Sequence, residues 1–228
     1  ARSKNGAGYR DKFLIESDGL AGFGDWVEQL VAESTGKEDK GILPVVVDSQ
    51  APEISALPED TLLIRFGSEA TGNTDAAFSG SLGELFLLWE YATVIAGFLQ
   101  GINPFDQPNV ESAKVAARAL LDSPATGAEV DFVDRGVSVK SYGFDLNGGT
   151  LDSALEQLLG LVDNSSYISV HAYLNRMAYP QLEELRDLLA KRSGRPVTFG
   201  WGPRFLHSTG QYHKGGPKQG VFLQLTGE

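Results

Sequence analysis

Short apolar runs alternate with stretches of helical periodicity along most of this chain. The runs have strand length and are bounded by turn residues, whereas the stretches between them place apolar residues three or four positions apart. The predicted strands are 11–16, 42–47, 61–66, 167–174, 197–201 and 221–225, and the predicted helices include 20–34, 151–162 and 181–191. This order predicts an α/β fold, a doubly wound and mostly parallel sheet with helices on both faces and functional sites at the carboxyl ends of the strands.

Residues 82–99 are apolar around most of the helix that they are predicted to form. Glu84 and Glu90 interrupt the apolar character, so the sequence favours a helix of the protein core over a membrane span. We therefore expect this helix at the centre of the fold. A further helix is predicted to start near Pro108 and to run through Leu121.

The chain divides into three predicted parts. Residues 1–122 form an α/β lobe, and residues 150–228 form a second α/β lobe that completes or extends the sheet. Between them, 123–149 is rich in turn residues and has alternating apolar positions, which predicts a small hairpin-like β insertion. The chain opens with neither an initiator Met nor an apolar leader, which suggests a piece of a longer protein with partners upstream.

Charge and cysteine content exclude several classes of function. The formal net charge is -11, with 19 basic against 30 acidic residues, and this opposes binding to nucleic acid or to an anionic membrane. Without cysteine the chain can form neither disulfides nor thiolate metal sites. We expect a soluble, cytoplasmic protein.

Three segments of the chain resemble glucose-6-phosphate isomerases. The first ends in Glu-Ser-Thr-Gly-Lys at 33–37, and the second reads Asn-Pro-Phe-Asp-Gln-x-x-Val-Glu at 103–111, followed by Lys114. The third, Gly-Pro-Arg-Phe-Leu-His-Ser-Thr-Gly-Gln-Tyr-His-Lys-Gly-Gly-Pro at 202–217, is similar to the isomerase half of bacterial proteins in which transaldolase and isomerase are fused.

The resemblance implies interconversion of glucose 6-phosphate and fructose 6-phosphate on a pair of sugar-isomerase (SIS) domains. This chain would supply the second, SIS-like domain, with no cofactor and no metal. The implied partners are the sugar phosphate, an upstream SIS domain, a transaldolase domain in the same chain, and a second subunit in a homodimer. The alternative is a module that binds sugar phosphate, or forms an interface in a transaldolase fusion, without catalysis.

Two side chains would carry the proton transfer. An enediolate mechanism needs one base that moves a proton between neighbouring carbons, and the resemblance assigns this role to Glu33 at the negative end of a helix dipole. Lys114 would stabilise the enediolate as a positive charge. From the residues alone, the better explanation of Glu33 is a solvated helix-end residue, and that of Lys114 is one half of a surface pair with Glu111. The resemblance reverses this preference for both residues.

The remaining candidates would bind substrate or open the sugar ring. The resemblance places Ser34, Gly36 and Lys37 beside the substrate, and Gln107 has a side chain that could donate to a hydroxyl. In the third segment, Ser208 and Thr209 could present backbone amides to a phosphate, if that segment is not simply a structural loop.

The ring-opening group remains open. The family's ring-opening histidine normally follows the Glu motif closely, yet the next histidine after Glu33 is His171. His207 and His213 are the remaining candidates for this acid. His171 lies in an apolar run and is expected to be a core histidine.

Overall fold

The protein is an α/β structure, as the sequence predicts. The computed structural model describes residues 9–17, 19–67, 74–106, 108, 115, 118–119 and 129–227. The strands are β1 (Lys12–Ser17), β2 (Leu43–Val47), β3 (Thr61–Phe66), β4 (Ala76–Phe78), β5 (Phe132–Asp134), β6 (Val137–Val139), β7 (Tyr167–Tyr173), β8 (Val197–Trp201) and β9 (Gly220–Thr226). The helices are α1 (Phe23–Thr35), α2 (Pro52–Ser55), α3 (Leu82–Gln100), α4 (Leu151–Gly160), α5 (Leu185–Ser193) and α6 (Ser208–Gly215).

The first sheet has four parallel strands in the order β2-β1-β3-β4. The apolar run at residues 13–15 lies in the middle of strand β1, because parallel strands are covered on both faces, and Leu14 and Ile15 are fully buried. Leu14 belongs to a core on one face, and Ile15 packs on the other face with α1 and α3. Strand β4, with three residues, is too short to give a sequence signal.

The second sheet has three parallel strands in the order β8-β7-β9. Its strands pair with one another rather than with the first sheet across the described residues, so the two sheets meet through side chains. Lys12, at the start of β1, is fully buried, and its ammonium lies 2.7 Å from Asp60 and 3.3 Å from Gln219. Asp60 also pairs with Arg195, which donates to the Ser166 carbonyl at 2.8 Å. Charges at the amino ends of the strands therefore join the two sheets.

A two-stranded antiparallel hairpin of β5 and β6 lies in the region predicted as an insertion. Its turn residues Arg135 and Gly136 have φ angles of 52° and 77°, the left-handed pair that a tight hairpin requires. Most of the helix predicted from Pro108 through Leu121 lies outside the described residues.

Helix α3 is less central than its composition predicts. Only Leu85, Trp89, Thr93 and Gly97 are buried, along one stripe that packs against the sheet and α1. Glu84 closes a capping box with Ser81, whose backbone amide donates to the Glu84 carboxylate at 2.8 Å. Phe86 is half-buried and packs edge-on against Phe23 and Trp26 of α1. The large apolar side chains that are exposed are Leu82, Leu87, Leu88, Tyr91, Val94, Ile95, Phe98 and Leu99.

The apolar character of α3 therefore has two origins. One stripe belongs to the core, with Phe86 beside it packed on α1, and most of the remaining circumference is exposed among the described residues. By length and composition, α3 is the one described helix that could cross a membrane, and 22% of it is buried. The expectation of a wholly buried helix is wrong because apolarity does not reveal which partner covers each face.

Gly36, which ends α1, allows α1 and α6 to approach closely. A Cβ at this position would lie 2.3 Å from the Tyr212 Cα and 2.8 Å from the Ala32 carbonyl oxygen. Both are backbone atoms, so a side chain could enter only if the two helices moved apart.

We expect Gly36→Ala to lower the free energy of unfolding by about 1–3 kcal/mol, the usual cost of overpacking. Gly83→Ala is the matched control, because Gly83 lies in α3 and a Cβ added there would have no atom within 4 Å. That change should be neutral or stabilising by up to about 1 kcal/mol. Urea unfolding of both variants measures the contrast, and equal effects would show that the contact at Gly36 carries no constraint.

Candidate functional site

The segments that resemble the isomerases meet at the amino-terminal edge of the first sheet. Strands β1 and β2 are parallel, so α1 must return the chain from the carboxyl edge to the amino edge before β2 begins. Glu33 and Gly36, at the end of α1, consequently lie at the amino edge. The expectation of a site at the carboxyl ends of the strands does not hold for this motif.

Glu33 lies away from the buried stripe of its helix. The buried residues of α1 include Val27, Glu28, Val31 and Ala32, and at 3.6 residues per turn Glu33 falls on the opposite side. Its side chain is partly exposed and has no ion pair or hydrogen-bond partner among the described residues. Among the described residues nothing occupies its carboxylate, which can therefore contact a ligand or another part of the protein.

The turn after α1 packs against α6. The fully buried Gln211 donates from Nε2 to the Gly36 carbonyl at 2.7 Å, and the Asp39 amide donates to the Gly215 carbonyl at 2.9 Å. The third family-like segment thus contacts the first, although Gln211 and Gly36 are 175 residues apart. Gly36 allows this close packing because it has no side chain. Its predicted position beside a substrate stays a prediction. Ser34 is partly exposed, one position beyond Glu33.

Lys37 connects the first segment to the second. Its buried ammonium donates to the Asn103 carbonyl at 2.8 Å and to the Asp106 carbonyl, and it lies 3.0 Å from the Asp106 carboxylate. Asn103 and Asp106 belong to the Asn-Pro-Phe-Asp-Gln turn. Gln107 and Lys114 lie outside the described residues, so their predicted roles stay predictions.

The segment around His207 and His213, which the sequence left open between a phosphate-binding segment and a structural loop, is helical from Ser208 onward. Most of its backbone amides after the first turn therefore bond within the helix, which leaves those near Ser208 and Thr209 for any anion. His207 precedes the helix and is exposed, so it can reach a ligand outside this domain.

His213 belongs to an enclosed polar network. Its Nδ1 lies 2.8 Å from the Tyr167 hydroxyl, and its Nε2 lies 3.4 Å from the Ser169 hydroxyl. Ser169 also lies 2.9 Å from His171 Nε2 and accepts a hydrogen bond from Thr198 at 2.8 Å. His171 stacks on a phenylalanine ring, which confirms it as a core histidine.

The protonation of these histidines is unfavourable. Burial lowers the pKa of His171 to about 4 and that of His213 to about 3, and the proximity of His171 adds to the effect on His213. Both ring nitrogens of His213 already contact hydroxyl groups of the protein, whereas His207 is exposed. The ring-opening roles predicted for His207 and His213 stay predictions.

Glu28 is a carboxylate that sequence reasoning missed. It occupies the buried stripe of α1, where burial raises its pKa to about 7 and Arg204 opposes the shift. The signal in the sequence is an acidic residue at an apolar-stripe position. Glu28, Arg204 and the histidine network line a cavity of about 20 Å³, which holds about one water molecule and is too small for a sugar phosphate.

The fold is an α/β domain. Its three segments that resemble the isomerases come together at the amino-terminal edge of the first sheet. No model of a known protein family matches the chain. Over about half of its length the chain is nevertheless similar to curated glucose-6-phosphate isomerases, which confirms the resemblance of its motifs. These relatives support an isomerase role at the level of the family.

Individual relatives show the extent of the similarity. The glucose-6-phosphate isomerase of Heliobacterium modesticaldum is 28% identical over 166 residues, covering 49% of this chain and 37% of the relative. That of Lactobacillus gasseri is 30% identical over 172 residues, covering 51% and 38%. That of Leptospira interrogans is 43% identical over 58 residues, covering 25% and 13%. The matched part of this chain thus spans well under half the length of these relatives.

The enclosed histidines predict an acid-sensitive fold. The ordinary pKa of histidine is 6.5, so between pH 6.5 and about 4 the unfolded state binds more protons than the folded state. The free energy of unfolding should therefore fall as the pH is lowered through this window. Glu28 acts in the opposite sense between its folded pKa of about 7 and its ordinary value of 4.5, where its protonation favours the folded state.

Urea unfolding of His171→Gln and of the parent at pH 7, 6 and 5 isolates the histidine contribution. The variant should lose less stability on acidification than the parent, because glutamine does not titrate. His207→Gln is the control, since the exposed His207 ring meets water in both states. Parallel pH profiles for all three proteins would contradict this account.

Proposed function

We propose that this chain is a domain of a glucose-6-phosphate isomerase that interconverts glucose 6-phosphate and fructose 6-phosphate. The convergence of the three family-like segments carries the proposal. Gly36 and Lys37 bring the Glu-Ser-Thr-Gly-Lys turn into contact with both the Asn103–Asp106 loop and α6. Segments that are far apart in sequence and share one location are expected of a functional site.

Glu33 would be the base in this mechanism. It would take the proton from one carbon of the open-chain sugar and return it to the neighbouring carbon, through an enediolate. Lys114 would stabilise the negative charge on the enediolate oxygen, and the exposed His207 would assist ring opening. Glu33 suits the role because its carboxylate is partly exposed and unpaired among the described residues.

The complete active site requires more than this domain. The small cavity beside Glu28 cannot hold a sugar phosphate. A larger groove of about 370 Å³ between α1, the sheet and α3 is lined almost wholly by apolar side chains, with no Lys, Arg or His among its described lining residues. We therefore assign phosphate binding to an upstream SIS domain, with a second subunit and a fused transaldolase domain as further partners.

The exposed face of α3 supports an intramolecular partner. Its apolar side chains border the apolar groove, and the exposed Leu88 also lines that groove. Water-exposed apolar surface of this extent marks an interface. Because the relatives are more than twice as long as the matched region, we propose that the upstream domain covers α3 within a soluble, cytoplasmic protein.

A second candidate is a sugar-phosphate-binding or interface module without turnover. One observation favours it: His213, one of the two histidines of the third segment, is held neutral in the Tyr167 network. Activity of the intact protein separates the two functions.

Glu33→Gln in the full-length protein should lower kcat for fructose 6-phosphate conversion by about 10²- to 10⁴-fold, because the amide cannot accept the proton. KM should change little, since the side chain keeps its size. Glu156→Gln is the control: it is the same substitution on the exposed Glu156 of α4 and should leave kcat unchanged. Sugar-phosphate binding without turnover in the parent would instead identify the non-catalytic module.

The covered face of α3 predicts a difference in thiol reactivity. The chain has no cysteine, so Leu99→Cys introduces a single probe at a position that is 77% exposed here. Alkylation should be fast in the isolated chain and slower by about tenfold or more in the full-length protein, where the thiol reacts only when the interface opens. Leu188→Cys, at a 61% exposed position on α5, should react quickly in both.

Peptide-resolved mass spectrometry follows the labelled position even if the longer protein has cysteines of its own. Equally fast alkylation of Leu99→Cys in both proteins would show that no other domain covers this face of α3.

A further inference from the structure

All three hydrogens of the Lys37 ammonium have acceptors in one loop, Asn103–Asp106. The Lys37 side chain is 1% exposed, and Nζ contacts the Asn103 carbonyl, the Asp106 carbonyl and the Asp106 carboxylate. An ammonium has three hydrogens, and these three acceptors account for all of them. No hydrogen remains for a phosphate or a sugar hydroxyl, so the geometry does not support direct substrate binding by Lys37.

The backbone that presents Lys37 is strained. Glu38 and Asp39 both have φ of 57°, a left-handed conformation that residues with a Cβ adopt at a cost. The Lys37 amide donates to the Lys40 carbonyl at 3.1 Å, and the Lys40 amide returns the bond at 3.0 Å, which closes a tight turn. Such strain persists where the surroundings hold it, and here Asp39 bonds to Gly215 of α6.

The loop at the other end is otherwise lightly held. Ile102 is buried and Pro104 packs on Gly97, but Phe105 is 75% exposed and the Asp106 side chain is 54% exposed. Lys37 is the one described partner of the Asp106 side chain outside the loop. Asp106 immediately precedes Gln107 and the sequence that leads to Lys114.

We propose that Lys37 is a positioning residue. Its ammonium ties the Asn103–Asp106 loop to the end of α1 and thereby fixes the position of this loop relative to Glu33. The catalytic part of this proposal rests on the proposed isomerase function. Proton transfer requires the catalytic groups to be held at fixed positions relative to the substrate. A displacement of one such group by about 1 Å can lower the rate by about 10²-fold.

Lys37→Met in the full-length protein tests the tether. Methionine keeps an unbranched, buried stem but removes the charge and the three contacts to the loop. We expect kcat to fall by about 10- to 100-fold, with KM within about threefold of the parent, because the loop is displaced while substrate contacts remain. Lys40→Met is the matched control, since Lys40 lies in the same turn with its side chain 46% exposed, and it should keep the parent kcat and KM.

A second readout does not depend on activity. Amide hydrogen exchange of residues 101–106 should accelerate about tenfold or more in Lys37→Met, whereas exchange in β1 and β3 should stay unchanged. If Lys37→Met does not fold, Asp106→Asn takes its place, with smaller effects in the same direction, because it removes the negative charge and leaves the two carbonyl contacts.

Three results would overturn the proposal. A rise in KM and in the inhibition constant of inorganic phosphate at constant kcat would make Lys37 a substrate ligand. Unchanged kcat per folded molecule would leave it a purely structural residue. Unchanged amide hydrogen exchange at residues 101–106 would show that Lys37 does not hold the loop in place. If the parent protein does not convert fructose 6-phosphate, the proposed function fails, and the exchange experiment still decides whether Lys37 holds the loop.

Discussion

The close approach of α1 and α6 at Gly36 is the contact on which the arrangement of the motifs depends. Because Gly36 has no side chain, the Tyr212 backbone can lie against it, and Gln211 can reach its carbonyl. The same approach lets Asp39 bond to Gly215, which holds the next turn in its left-handed conformation. That turn directs Lys37 toward the Asn103–Asp106 loop. The absence of a side chain at Gly36 thus allows the turn after α1 to contact both α6 and the Asn103–Asp106 loop.

This helix contact also joins the two sheets. Helix α1 crosses over between β1 and β2 of the first sheet, and α6 crosses over between β8 and β9 of the second. Their packing fixes the sheets from one side, while Lys12, Asp60 and Arg195 connect the amino ends of the strands. A buried ammonium such as that of Lys12 is tolerated because paired carboxylates compensate its lost hydration, and removal of one partner would leave a charge uncompensated.

The sequence predicted the elements whose signals are local. Buried parallel strands give apolar runs, so β1 to β3, β7 and β8 were evident, and the apolar run 221–223 marked the half-exposed β9, whereas the three residues of β4 carry no pattern. Helix α6 was missed because Ser208, Thr209 and Gly210 are poor helix formers, and its stability comes from packing on α1. The Glu-Ser-Thr-Gly-Lys motif was found by resemblance. The contact of Lys37 with Asn103 was not predictable, because it joins residues 66 apart through the turn geometry.

The distribution of charge supports the proposal that this domain holds one part of a site. A sugar phosphate is an anion, and the chain has a formal net charge of -11, so binding requires a local positive field. Lys37, at the end of α1, bonds to the Asn103–Asp106 loop, and Arg204, beside the first half of α1, pairs with Asp25 and Glu28. Glu33, by contrast, is partly exposed and unpaired among the described residues. Under the proposed function, this domain would supply the base, and the remainder of the protein would supply the positive field for the phosphate.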